Sequence, residues 1–364
     1  MSEEHYLVGT LDKGLRVLDL LRHSPRPLRI AEVAEGTGLG RGTVFRLLYT
    51  LQRHGLVDRL PDKTYRAGTL RRVARIGYCG HLEGTPFRRD VTAGLRRAAE
   101  VHGIDLLLLE NREENPRANL ENARRVIEAR VDLVLEFQRI EAIAQVLADL
   151  FSAARIPVVA VETPMPGAVF FGANNYRAGR MAGEVLARFA RERWKGAFDR
   201  LLLVGFPRRE SGPEARLIGA ADAVREALGP FEEARVVRIA CRPERAAARA
   251  ATAAALRRLR EERRLLVAAF NDPSALGVVE AVRAAGREDQ VAVVGQNGTE
   301  ESRRELRDSA GPLVASIAYF PERYGERLLP LALSLLNREN VPLAVYTEHA
   351  VLDRATLGTH YPDG

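Results

Sequence analysis

The sequence predicts two unlike parts: a small, mostly helical winged helix-turn-helix over residues 1–70, and an α/β two-lobed domain with parallel sheets over residues 71–364. Three observations predict this. Thr37–His54 reads as a Gly-bearing turn followed by a helix with apolar residues at Val44, Phe45, Leu47, Leu48 and Leu51, one buried face at helical spacing. Beyond residue 74 the grammar changes to continuous apolar strands separated by single helices, the pattern of parallel sheets covered on both faces. The charge is also uneven. Residues 1–72 hold 13 Lys/Arg against 8 Asp/Glu, so +5 of the net +7 sits on the first fifth of the chain, as expected of a part that touches a polyanion.

The elements follow in order. Leu11–Leu21 is an amphipathic helix with Leu11, Leu15, Val17, Leu18, Leu20 and Leu21 inward and Thr10 as its cap. Ser24-Pro-Arg-Pro breaks it. Ile30–Gly36 is a shorter helix with Ala31, Val33 and Ala34 inward, and the helix from Arg41 ends at His54-Gly55. Its polar side carries Arg41, Thr43 and Arg46, with Val44, Phe45 and Leu48 in the core. Helix, tight turn and helix with a polar outer face is a DNA-reading arrangement, or else an ordinary helical hairpin. Leu56–Arg59 and Thr64–Ala67 form a hairpin around Leu60-Pro-Asp-Lys63, bearing Arg59, Lys63 and Arg66. That wing can lie along a nucleic-acid backbone or enter the minor groove; alternatively it only closes the small core. Thr69–Val73 is a short basic joint.

Strands are then expected at Arg75–Cys79, Ile104–Glu110, Val131–Phe137, Ile156–Val161 and Val169–Gly172, and, in a second lobe, at Leu201–Gly205, Arg235–Ile239, Leu265–Ala269, Val291–Val294 and Leu313–Ile317. Helices are expected at Arg88–His102, Ala118–Ala129, Ile140–Ala154, Tyr176–Glu192, Glu214–Leu228, Arg245–Glu262 and Ser274–Ala285, and Pro321–Leu336 ends the run. Two cysteines, Cys79 and Cys241, lack metal-ligand spacing and read as thiols of a reducing compartment. No basic n-region with an apolar run opens the chain and no 18-residue apolar run occurs, so a soluble cytoplasmic protein is expected. Nucleotide-binding, nucleophile-elbow and zinc-protease motifs are missing, so neither an enzyme nor a cofactor is expected.

Two resemblances sharpen this reading. Residues 11–21, 30–34, 37–39, 43–48, 51–57 and 65–68 together resemble the winged helix-turn-helix of the IclR family of bacterial transcription regulators. The resemblance implies operator DNA as a partner, and a dimer. Gly172–Arg180, Ala269–Gly277, Val293–Gly298 and Ile317–Gly325 resemble the type 1 periplasmic-binding-protein fold, shared by ribose-binding proteins and the effector domains of LacI-type repressors. It implies two lobes closing over a small polar ligand beyond the strand ends.

Carried over residue by residue, that second resemblance nominates Thr85 as a polar contact and Phe87 as a stacking ring, with Arg88 where an aromatic is usual. Glu162 keeps an acidic position, while Thr163 stands where an arginine is usual. Arg216 and Asn271 match cleft residues; Asn297 replaces an aspartate and Tyr319 a glutamine. Such a set suits a sugar or polyol, whose hydroxyls need paired donors and acceptors. An organic acid or nucleoside stays open. Each nominee also has a structural alternative: Asp272 as a helix cap, Arg216 in an ion pair, Phe87 and Tyr319 as core. The expected function is a ligand-responsive transcription regulator, at least a homodimer. The alternatives are a cytoplasmic enzyme acting on a small polar metabolite, and a solute-binding protein without a regulatory role.

Overall fold

The computed structural model describes residues 8–68, 73–112, 115–206, 211–308 and 311–362. The chain divides into a unit up to Ala74 and a unit from Arg75 onward. Most of the basic joint Thr69–Val73 lies outside the described residues.

The first unit contains α1 (Gly9–His23), α2 (Ile30–Thr37), α3 (Arg41–Arg53), β1 (Val57–Arg59) and β2 (Tyr65–Ala67). Its core gathers Val17, Leu18 and Leu21, Val33 and Ala34, Val44 and Leu48, with Val57 and Tyr65 from the hairpin. Three expectations are corrected here. Val8, not Thr10, occupies the N-cap of α1, and no side chain caps it. Leu11 and Leu15 are 60% and 51% exposed, because the buried stripe of α1 runs through Gly14, Val17, Leu18 and Leu21. Ala31 is exposed as well, since α2 is only about two turns long and turns Val33 and Ala34 inward.

Glu32 accepts a hydrogen bond from Arg29 N at 2.7 Å, which starts α2. Gly38, at φ +68°, ends it in the left-handed conformation that glycine adopts without a Cβ clash. Leu28 exchanges two backbone hydrogen bonds with Tyr65, of 2.8 and 2.7 Å, and so fastens the hairpin to the segment that enters α2.

The second unit begins with β3 (Arg75–Gly80), α4 (Pro86–His102), β4 (Asp105–Glu110), α5 (Pro116–Glu128), β5 (Leu133–Glu136), α6 (Ala144–Ala153), β6 (Val158–Val161) and β7 (Val169–Gly172). It continues through α7 (Asn175–Trp194), β8 (Arg200–Gly205), α8 (Ser211–Leu228), β9 (Val236–Ala240), α9 (Arg245–Arg258), β10 (Leu265–Ala269), α10 (Asp272–Ala284), β11 (Val291–Asn297), α11 (Glu300–Asp308) and β12 (Leu313–Ala318). It ends with α12 (Tyr324–Leu336), β13 (Ala344–Tyr346), β14 (Ala350–Leu352) and α13 (Leu357–His360).

Two six-stranded sheets result. The first runs β13-β7-β6-β5-β3-β4 and is parallel throughout; the second runs β14-β12-β11-β10-β8-β9, with only β14 antiparallel. Apolar clusters cover both faces of each sheet, which is why the central strands carry unbroken runs such as Leu201–Val204 and Leu265–Ala269. The first sheet builds one lobe and the second the other. The chain passes between lobes three times: at residues 173–174 after β7, at 319–323 after β12, and at 347–349 between β13 and β14.

The helices α7 and α8 of the second lobe touch backbone to backbone. A Cβ on Gly179 would stand 2.1 Å from Arg216 O, one on Gly183 2.3 Å from Ala220 O, and one on Gly219 2.3 Å from Tyr176 O. Only glycine permits that approach.

Candidate functional site

On the first unit the candidate nucleic-acid surface is the outer side of α3. The 3.6-residue period separates a buried stripe through Val44 and Leu48 from an exposed one through Arg41, Phe45 and Tyr49, four residues apart. Phe45 is 51% exposed and Tyr49 57%, so Phe45 belongs to the outer surface and not to the core. Arg41 and Arg46 are exposed and Thr43 is half-buried. Among the described residues the side chains of Arg41, Arg46 and Lys63 make no hydrogen bond or ion pair.

The wing differs in this respect. Asp58 holds Arg66 at 3.2 Å, and Arg59 lies 6.0 Å from the Tyr65 ring. Lys63 stands at the tip in a left-handed conformation, in a turn closed by Asp62, whose Oδ1 accepts from Thr64 N and Oγ1.

In the second unit the nominated residues fall at the carboxyl ends of strands and at the crossovers. Glu162 directly follows β6 at φ +62°, a conformation that costs a side chain of this kind about 1–2 kcal/mol. Its Oε1 accepts from Tyr324 OH at 2.6 Å and from Ala173 N at 3.1 Å, so it is tied to the starts of two crossing elements. Burial raises its carboxyl above the ordinary range, against the opposing pull of the Tyr324 hydrogen bond and of the Arg216 charge.

Arg216, on α8, is 9% exposed. Its Nε donates to Asn175 Oδ1 at 2.6 Å and its Nη1 to Phe270 O at 3.1 Å. The guanidinium lies 4.8 Å from the ring centres of both Phe270 and Tyr319. Its alternative as half of an ion pair is therefore replaced by an amide, a carbonyl and two rings. Tyr319 donates to Gln296 Oε1 at 2.7 Å and packs edge-on to His349 at 4.6 Å. Phe87 is half-buried, packs against apolar clusters of both lobes and meets Tyr324 edge-on at 5.6 Å.

The other nominees are placed less centrally. Asn271 is the N-cap of α10: its Oδ1 accepts from Ser274 N at 2.9 Å and its Nδ2 donates to Pro243 O at 3.1 Å. This corrects the expectation that Asp272 caps. Asp272 is fully buried and binds the second lobe together, accepting from Thr299 N, Ser302 Oγ and Ser316 Oγ. Asn297 ends β11 at φ +108°, half-buried. Thr85 is exposed at the start of α4, Arg88 is half-buried in its first turn, and Thr163 is half-buried, its N donating to Val161 O at 2.7 Å.

Several residues of the site escaped the sequence reading. Arg139, just past β5, lies over the Phe206 ring at 5.5 Å, and Phe206 meets Phe270 edge-on at 4.6 Å, so a chain of rings and cations spans from one lobe to the other. His349 accepts from Asn174 N at 3.2 Å through Nε2, and its Nδ1 faces Ala318 O at 3.4 Å. It therefore joins all three crossovers. The position of Arg139 and Phe206 immediately beyond predicted strands was the available signal. His349 had none, because the short strands around it were not foreseen.

Among the described residues no group of three His, Cys, Asp or Glu side chains could hold a metal ion, and no helix is long and apolar enough to cross a membrane.

Comparison with known proteins fits this architecture. Residues 10–61 match the IclR helix-turn-helix domain and residues 76–340 the periplasmic binding protein domain. The HTH-type transcriptional regulator XynR of Escherichia coli is 33% identical over 63 residues, 17% of this chain and 25% of that protein. The ribose import binding protein RbsB of Salmonella typhimurium is 39% identical over 75 residues, 21% of this chain and 24% of that protein. The chain thus spans about a quarter of the length of the curated relatives it matches.

Solved structures share the fold of the second unit. A periplasmic solute binding protein from Actinobacillus succinogenes with bound D-allose has a TM-score of 0.67 at 19% identity, covering 79% of this chain and 99% of that one. A Bacillus halodurans solute binding protein with bound myo-inositol has 0.66 at 17%, covering 80% and 98%. Both matched families are regulatory or binding classes and not catalytic ones. The chain belongs to the periplasmic binding protein domain family and carries an IclR-type helix-turn-helix at its N-terminus.

Proposed function

We propose that this protein is a cytoplasmic, ligand-responsive transcription regulator that binds operator DNA through α3 and the wing and a sugar or polyol between its lobes. The observation that carries the reading is the joining, in one chain, of an exposed helix with unpaired cations to buried polar groups of two lobes, Glu162 and Arg216, whose charges act on one another. Thr43 and Arg46 read base edges, Arg41 assists, and Arg59, Lys63 and Arg66 meet phosphates. Phe45 and Tyr49 add apolar contact of the kind a thymine methyl accepts.

In the cleft, Glu162 and Asn297 offer acceptors, and Arg216, Asn271 and Asn297 offer donors, with Phe87 and Tyr319 against the apolar side of the ligand. Thr85, Arg88 and Thr163 line its entrance. Glu162 belongs to the first lobe and Arg216 to the second, so a ligand that satisfies both favours closure, and closure biases a homodimer between two DNA-binding states. The ligands of the solved relatives support the sugar or polyol class.

Fluorescence anisotropy with a duplex from the region upstream of its own gene tests this, at fixed salt and across a panel of monosaccharides and polyols. The expected result is specific binding whose affinity moves by about tenfold, a coupling of about 1.4 kcal/mol, when the active ligand saturates. A ligand that saturates the cleft and leaves DNA affinity unchanged would refute the regulatory reading.

A further inference from the structure

The three crossovers build a second cavity, apart from the cleft. It encloses about 510 Å³, and its walls include Asn174 of the first crossing with Arg177 just beyond it on α7, Arg323 of the second with Arg327 just beyond it on α12, and Glu348 and His349 of the third. Glu162, Arg216 and Asn271 do not line it. The volume is within the range of small-molecule sites.

Its charge is lopsided. Three guanidinium groups face one carboxylate. Glu348 reaches Arg327 only at 4.0 Å, and Arg323 reaches Glu322, also at 4.0 Å, the outer limit of an ion pair. Pairs this exposed and this long neutralise little. The side chain of Arg177 makes no ion pair among the described residues. It sits in the first turn of α7, a helix of 20 residues with no acidic residue in that turn, so the positive end of the helix adds to the field. His349 registers the result. Burial lowers its pKa to about 4, the hydrogen bond to Ala318 O opposes this, and the charges of Arg216 and Arg177 lower it further. The imidazole is thus neutral, and the charge of the cavity lies on arginines, whose planar forks suit tetrahedral oxyanions.

We propose that this cavity is a second effector site, for a small phosphate-bearing metabolite, and that its occupancy biases the opening of the lobes. The coupling follows from construction. Arg177 stands on α7 of the second lobe, Arg327 on α12 of the first and Arg323 on the crossing between them, so their spacing differs between open and closed forms, and an anion held by all three favours one of them.

Calorimetry on the full-length protein with inorganic phosphate, at ionic strength fixed with chloride, tests the site. One saturable site per chain is expected. The double variant Arg177→Ala/Arg323→Ala, both exposed positions, weakens it by at least about tenfold without moving the unfolding midpoint. Arg216→Lys, in the cleft, leaves it in place. Small-angle scattering with and without saturating phosphate then reads lobe opening, and a changed radius of gyration is expected. Failure to saturate, equal affinity in the double variant, or loss with Arg216→Lys alone would overturn the site. Acetate binding as tightly as phosphate would overturn the ligand class. Saturation with an unchanged scattering curve would overturn the coupling. None of these outcomes depends on whether the protein binds DNA.

Discussion

On α3, Arg41 and Arg46 stand in solvent with no side-chain partner among the described residues, whereas in the cleft Arg216 is 9% exposed and already holds an amide, a carbonyl and two aromatic rings. Under the proposed function the same side chain would serve two kinds of recognition. A polyanion brings its own charge and sheds counterions, so the protein needs only free cations on a firm helix. A neutral polyol brings weak dipoles, so its donors must be oriented before it arrives and kept out of water. On that reading the exposed arginines of α3 act on binding alone, whereas the buried Arg216 acts on stability as well.

The largest effect that could break this contrast is at Glu136. It is buried, its Oε1 accepts from Asn111 Nδ2 at 2.8 Å, and burial pushes its carboxyl up to about 8 against the hydrogen bonds of Asn111 and Cys79. The folded pKa is raised, so the native state holds a proton that the unfolded chain releases at lower pH. Its contribution is fully present below the ordinary carboxylate pKa and is lost as pH rises toward 8, at about 1.4 kcal/mol per pH unit within that window. Glu136→Gln should flatten this loss. Denaturant titrations at pH 5, 6.5 and 8 should show the variant gaining on the wild type as pH rises; parallel curves would mean that the buried charge is not felt.

Next in size is Arg216→Ala. It leaves Asn175 and the Phe270 carbonyl without their donor, and should lower stability and ligand affinity together, each by roughly 1.5–3 kcal/mol. Melting curves and calorimetry with the active sugar or polyol measure both. A loss of affinity with unchanged stability would make Arg216 resemble the exposed arginines and dissolve the contrast.

Arg46→Ala should lower specific DNA affinity by about 1–3 kcal/mol while the melting temperature stays put. A drop in melting temperature would show a structural duty that the exposed position does not suggest. The smallest effect sharpens the picture within the wing. Lys63→Ala should reduce the slope of log affinity against log salt by about one, and Arg66→Ala by less, because Asp58 already holds Arg66.

What the sequence made legible follows the physics of each signal. Val44 and Leu48 were readable because helical spacing marks a buried stripe, yet Phe45, one residue from Val44, was assigned to the wrong side. Adjacent residues are only about 100° apart, and hydrophobicity cannot tell a core ring from one offered to a partner. The sheet strands were readable from unbroken apolar runs. The helix α11 was not, because Glu300–Asp308 buries only Ser302 and Leu306. Glu162 and Arg216 came from resemblance rather than from any local pattern. Arg139 and Phe206 each carried the signal of a strand end, but their meeting depends on how two strand ends from different sheets come together. The three-residue strands β13 and β14 are too short for period-two alternation to register, and His349 was hidden with them.

The glycine contact between α7 and α8 gives the proposed ligand site a particular genetics. Gly179 abuts the backbone of Arg216 itself, so the donor proposed for the ligand is held in place by a residue that has no side chain. A methyl group there displaces α8 by more than a hydrogen bond tolerates. A random search for variants with a dulled response should therefore return Gly179→Ala alongside Arg216 substitutions. A compensating change in such a background should appear on α8 near Gly219, where the same two helices meet again, and not among the residues that line the cleft.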